Sequence, residues 1–207
     1  ITNFKDYYDK LSKKISKLRV DFHPDQFTVL NSVKKEVLDN TFLSLEHHYK
    51  LCKVLKIKNP ILVLHVGSNV FGKEKSLTRF INNFKKLPNE IKQVIAIEND
   101  DKIFNVEDVL KLTKEINVPF VLDYHHYLCN KGNIDIDDYF IDIFKTWKNI
   151  RPKIHFSSPK SKLKKEFRSH HEYIDVDEFI KFIEKIKKYN IDIDIMLEAK
   201  GKDEALF

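Results

Sequence analysis

Six short apolar runs rich in β-branched residues punctuate the chain: 19–23 (RVDFH), 61–66 (ILVLHV), 94–99 (VIAIEN), 120–125 (FVLDYH), 153–158 (KIHFSS) and 193–199 (IDIMLEA). Their length and composition predict strands. Between them, apolar positions recur every three or four residues, the period of a helix with one buried face. Leu38, Phe42, Leu45, Tyr49 and Cys52 line one such face, and Leu77, Phe80, Ile81, Phe84 and Leu87 line a second. Tyr139, Phe140, Ile143, Phe144 and Trp147 line a further, longer one. Asn105 with Asp108, and Asp175 with Glu178, have the spacing of helix N-terminal caps.

Strand and helix in alternation imply a parallel sheet with helices outside it. No glycine-rich phosphate loop follows any strand, which weighs against a dinucleotide-binding open sheet. The competing architecture is a TIM-type (β/α)8 barrel, which needs eight strands and usually about 250 residues. Six strands in 207 residues fit a barrel whose first two βα units are missing. The chain begins with Ile, not Met, as a sequence starting downstream of the native terminus would. No linker or composition break divides it, so the expectation is one domain over 1–207, N-terminally incomplete.

Charge changes the picture modestly. Lys and Arg number 37 against 31 Asp and Glu, a net +6, which favours a polyanionic partner, nucleic acid first. No apolar run approaches the ~20 residues of a membrane span, so no membrane partner is expected. The two cysteines, Cys52 and Cys129, have no motif spacing and imply a reducing, cytoplasmic setting (nucleoid-associated in a bacterium). The expected state is a monomer.

Candidate chemistry sits where the strands stop. His23, His65, Glu98 and Asp123 close the first four runs, His155 lies on the fifth, and Glu198 lies near the end of the sixth. Each is about one βα unit from the next. In a parallel barrel all such ends meet on one face. Unneutralised carboxylates gathered there would repel one another and lose hydration, a cost that divalent cations remove. Mixed imidazole and carboxylate donors suit zinc, manganese or iron. His126, three residues beyond Asp123, and His170, in RSHHEYI, join the set. So many donors imply more than one metal. Lys153 shares strand parity with His155 and should point the same way. His47 and His48 read as helix surface and packing, and His125 and His171 as neighbours that face elsewhere.

These stretches together resemble the UV damage endonuclease family. RVDFHPDQFTVLNS, LHVGS, IENDD, VPFVLDYHH, KIHFSSPKS, FRSHHEYI and MLEAKGKDEALF carry the resemblance, from about residue 17 to Phe207. It implies a barrel of the endonuclease IV-like class and up to three divalent metals, commonly manganese, with zinc or magnesium as alternatives. The implied ligands are His23, His65, Glu98, Asp123, His126, His155, His170 and Glu198, with Glu98 bridging two metals. Lys153 matches a lysine that in the family can be carboxylated and helps build the site. Gln26 and Phe27 match the pair that probes DNA at the lesion. The implied activity is metal-dependent nicking of double-stranded DNA 5′ to UV photoproducts, with Glu98 and Lys153 as the catalytic set. An apurinic-site endonuclease and an inactive DNA-damage-binding fragment are the alternatives; a two-metal sugar isomerase fits the basic charge and the Gln26–Phe27 pair poorly. Lys160, Lys162, Lys164 and Lys165 are candidate contacts to the DNA backbone. The sequence departs from the family at Ser68, where a second glycine is usual, and at Glu172, where Asp is common. A positive φ at Ser68 would bring strain.

Overall fold

The computed structural model describes residues 4–206; Ile1 and Phe207, the ends of the expected domain, lie outside them. Residues group into two compact units, 1–97 and 98–207.

In the first unit, helix α1 (Lys5–Ile15) precedes the first apolar run. That run, predicted as a strand over 19–23, makes only one parallel bridge, Phe22 to Leu62. Phe22 N donates to Ile61 O at 2.9 Å, and Val63 N donates to Phe22 O at 2.9 Å. The ladder stops there for two reasons. The Asp21 carboxylate takes the Ile61 N–H (3.2 Å), and Pro24 has no N–H to give. Helix α2 (Lys35–Val54) follows and buries Thr41, Leu45 and Cys52. Strand β1 (Leu62–His65) adjoins β2 (Ile95–Glu98), with Leu62 N donating to Val94 O at 2.6 Å. Helix α3 (Lys73–Phe84) buries Phe80, Ile81 and Phe84, and the single turn α4 (Asn89–Lys92) packs against α2. The unit boundary falls inside β2, whose last residue, Glu98, belongs to the second unit.

Two loops of the first unit are stitched together after their strand segments. Asn31 binds the Ser68 backbone twice: its Oδ1 accepts from Ser68 N (3.1 Å) and its Nδ2 donates to Ser68 O (2.7 Å). The Arg79 Nε donates to Asn31 O at 3.0 Å and its Nη2 to Val70 O at 2.6 Å. The strain expected at Ser68 is absent. The left-handed backbone falls one residue earlier, on Gly67 at φ +107°, where a Cβ would lie 2.5 Å from Asn31 Oδ1.

The second unit holds three parallel strands, β3 (Phe120–Asp123), β4 (Lys153–Phe156) and β5 (Asp194–Leu197), side by side. Register places Asp123 beside His155 and His155 beside Met196. Glu198, two residues past Met196, therefore faces the same way, and its N–H donates to Phe156 O at 2.9 Å. Helix α5 (Val106–Ile116) starts at the expected cap: Asn105 and Asp108 form a reciprocal capping box. α5 and α7 (Phe140–Lys145) pack on β3, and α6 (Tyr124–Cys129) on β4. Asp175 caps α8 (Val176–Lys187) by accepting from Glu178 N, as its spacing predicts.

Two predicted boundaries shift. The strand expected over 120–125 ends at Asp123, because the Asp123 carboxylate caps α6 through His126 N (2.7 Å) and bends the chain into a helix. The long helix expected around 139–147 is a 3₁₀ turn, Ile136–Asp138, followed by the short α7. Thr146 Oγ1 accepts from Phe120 N at 2.9 Å, and the fully buried Trp147 donates Nε1–H to Phe120 O at 2.7 Å. These bonds to β3 close the helix early.

The two glycines of the first unit's loop allow a test. Gly72 also has positive φ (+93°), but no atom lies within 4 Å of an added Cβ. Gly72→Ala should cost the conformational strain alone, about 1–2 kcal/mol. Gly67→Ala should cost about 1–3 kcal/mol more, through collision with Asn31 and Val29. Urea unfolding midpoints read the difference; equal losses would mean the Asn31–Ser68 stitch yields freely.

Candidate metal centre

β2, β3, β4 and the segment after β5 each deliver a metal-ligand side chain. Glu98, Asp123, His155 and Glu198 offer ligand atoms that all lie within 4.8 Å of one another. Glu98 is 1% exposed, Asp123 0% and His155 3%, so this charge is held out of water. His155 Nδ1 lies 3.0 Å from Glu98 Oε1 and 3.0 Å from Glu198 Oε1. His126, on the first turn of α6, brings its Nδ1 to 3.8 Å from Glu98 Oε1 and 3.7 Å from Asp123 Oδ2. His170 Nδ1 is 3.9 Å from Glu198 Oε2. The residues expected as ligands in this unit thus come together.

Electrostatics show what this costs. Burial pushes the Asp123 carboxyl up, to about 7, against the pull of His126. Burial opposes charge on His155, but Glu98 and Glu198 outweigh it and push the imidazole up to about 10. Burial likewise disfavours charge on His126, and Asp123 and Glu98 reverse that, raising it. Glu198 is lowered: burial raises it, and the hydrogen bond to His155 more than compensates. Asp123 Oδ2 is buried and accepts no hydrogen bond, an orphaned acceptor of the kind a cation satisfies. Three carboxylates with three imidazoles, close-packed and partly orphaned, fit divalent cations of the zinc or manganese type.

Sequence reasoning missed the residues that aim these ligands. Asn99, fully buried, pairs with the Asp123 backbone in both directions: Nδ2 donates to Asp123 O (3.0 Å), and Asp123 N donates to Oδ1 (2.9 Å). Its own carbonyl lies 3.0 Å from His126 Nδ1, which helps hold the ring in place. Arg168 Nε donates to Asp101 Oδ2 at 2.7 Å and ties down the loop that carries His170. The signal was a run of polar residues, IENDD, directly after a buried strand. His125 is also nearer than expected: it is fully buried, its ring 5.3 Å from that of His170 and its Nε2 3.6 Å from Cys129 Sγ. Burial and the two neighbouring histidines push it down to about 4. Lys153 is buried at the start of β4, on the same strand face as His155. His171 is exposed and bonds Tyr173 N through Nδ1 (2.9 Å); the Glu172 carbonyl accepts from Gly201 N (3.0 Å).

In the first unit, His23 and His65 come together, ring centroids 5.1 Å apart. His23 Nδ1 lies 3.1 Å from Pro24 O. Gln26 and Phe27 form an exposed turn, set by Asp25 Oδ1 accepting from Phe27 N at 2.7 Å. Phe27 is 73% exposed. His48 bonds Ser44 O (2.7 Å) and packs on Phe22, as helix packing predicts.

A family model described as UV-endonuclease UvdE matches residues 9–207. The chain belongs to that family. A UV DNA damage endonuclease of Bacillus cereus (strain B4264) is 44% identical over 194 residues, 92% of this chain and 60% of that protein. The chain therefore spans about 60% of the length of the curated relatives it matches. The crystal structure of SacUVDE superposes with a TM-score of 0.87 at 33% identity, over 98% of this chain and 70% of that one. Endonuclease IV from Thermus thermophilus gives 0.63 at 15% identity over 98% and 77%, a likeness of fold alone. The fold is of the endonuclease IV-like (β/α) barrel class. No helix among the described residues is long and apolar enough to cross a membrane.

If Asn99 aims the ligands, Asn99→Ala should lower Zn²⁺ affinity about 10–100-fold while the unfolding free energy falls by only about 1–3 kcal/mol. Calorimetric titration and unfolding curves check it; lost stability with unchanged affinity would make Asn99 a core residue only.

Proposed function

We propose that this chain carries the metal centre of a DNA repair endonuclease that nicks duplex DNA 5′ to UV photoproducts, leaving 3′-hydroxyl and 5′-phosphate ends. The observation that carries the reading is the largely buried cluster of Glu98, Asp123, His155 and the part-exposed Glu198 in a chain of the UV-endonuclease family. Glu98, Asp123, His126, His155, His170 and Glu198 would hold divalent ions, manganese first. The family resemblance gives His23 and His65 the same ligand role. Bound ions would supply charge neutralisation on a phosphodiester and make water more acidic.

The protein's own residues do the rest. Asn99 and Arg168 hold the ligand loops before substrate arrives, so little reorganisation accompanies reaction. Glu98 contacts His155 and stands close to His126, a position suited to bridging two ions. Lys153, buried at the foot of the same strand, would help build the site, as the family resemblance implies. Gln26 and Phe27, on an exposed turn, would read local distortion. An aromatic wedge pays a few kcal/mol to unstack a base step, less where a lesion already stacks poorly. Lys162, Lys164 and Lys165 are exposed and would contact phosphates without reading sequence, so affinity should fall with salt.

A nicking assay on irradiated and intact supercoiled plasmid with Mn²⁺ tests this. Irradiated plasmid should be relaxed preferentially, and Glu98→Ala should lower the rate by about 1000-fold, the equivalent of several kcal/mol of charge stabilisation. Equal cutting of both plasmids, or an active Glu98→Ala, would end the proposal. Phe27→Ala should slow nicking and leave metal content unchanged.

A further inference from the structure

The loop after β1 holds a second exposed aromatic, in a backbone conformation unusual for its residue type. Asn69–Gly72 is a tight turn closed by Gly72 N donating to Asn69 O at 3.1 Å. Its third residue has positive φ, the place where such turns use glycine. Here that residue is Phe71, at φ +67° and 73% exposed. A bulky side chain in the left-handed region is an outlier, and such outliers cluster at ligand contacts.

The turn is braced from beneath. Arg79 Nη2 donates to Val70 O (2.6 Å) and to Ser76 Oγ (2.9 Å), and Ser76 Oγ donates to Val70 O (3.2 Å). The guanidinium carbon sits 5.9 Å from the Phe71 ring centroid, within cation–π range. The same Arg79 bonds Asn31 O, so it links this turn to the loop that carries Gln26 and Phe27. Arg79 also lines a groove of about 470 Å³ with Lys35 and Lys86, cations of the kind that follow a phosphate backbone. An aromatic ring held proud of a braced loop beside cations is the pattern of a base-stacking platform.

The geometry points to Phe71 as a second DNA-contacting aromatic, one that stacks on a base unstacked by helix distortion while Arg79 holds it in place. This rests on the DNA-nicking reading above. Phe71 adds recognition to that reading, separate from the metal centre and from Phe27.

The test uses Phe71→Gly, which relieves the left-handed residue and removes the ring. Fluorescence anisotropy would measure binding to a duplex with a two-base bulge and to its fully paired counterpart, with Mn content and thermal midpoint recorded alongside. The proposal expects Phe71→Gly to keep its metal, unfold at the same or a higher temperature, and bind the bulged duplex about 5- to 100-fold more weakly, with less than about a twofold loss on paired DNA. Phe71→Trp should restore affinity, and the new indole should change its emission on binding. Unchanged affinity of Phe71→Gly for the bulged duplex, with Phe27→Ala weakened, would overturn the role of Phe71 and leave the DNA reading standing. A lowered thermal midpoint in Phe71→Gly would make the ring structural, against the proposal. A wild-type protein that binds neither duplex would overturn the DNA reading and this inference with it.

Discussion

Glu98 and Asp123 are held out of water beside the part-exposed Glu198, and the second unit's architecture answers that repulsion. Protein interiors tolerate buried carboxylates only when opposite charge or donated hydrogen bonds compensate. Here the compensation within the chain is partial. His155 touches two of the carboxylates, Asp123 is pushed toward its protonated form, and one Asp123 oxygen remains without a donor. Divalent cations would complete the balance.

The fold makes this clustering geometrically inexpensive. Parallel strands end on one side, so one residue per strand reaches a common point without any loop having to fold back over the sheet. The register of β3, β4 and β5 alone lines up Asp123, His155 and the approach to Glu198. Loops then do the aiming: α6 starts at once after β3, so His126 returns toward the strand that precedes it, and the Asp101–Arg168 pair anchors the His170 loop. In the first unit the loops hold exposed groups instead. Asn31, Ser68 and Arg79 fasten two loops into one support for Phe27 and Phe71.

Much of this was legible in the sequence because ligand chemistry and strand periodicity coincide. A buried run that ends in His, Glu or Asp marks a strand and a candidate ligand at once, as β1, β2 and β3 end on His65, Glu98 and Asp123; in β4 the histidine is one residue short of the end, and Glu198 follows β5. Legibility failed where side chains compete with backbone for hydrogen bonds. Asp21 takes the N–H that would have extended the first strand, and Asp123 turns a strand end into a helix cap. Thr146 and Trp147 end a helix by bonding to β3 instead of continuing its own ladder. Asn99 was missed for a related reason: its type signals a turn or cap, and only the neighbouring strand shows that it pairs with Asp123. A resemblance supplied Gln26 and Phe27, whereas nothing in the composition of SNVFG singles out Phe71. Its distinction is a backbone angle.

Anomalous X-ray scattering from crystals grown with Mn²⁺ tests the central claim most directly. The account predicts a manganese peak within about 2.0–2.4 Å of oxygens from Glu98, Asp123 or Glu198, with His155 turned to join them. No anomalous peak there, with the same side chains still packed together, would show that protons alone hold the cluster and would contradict the account.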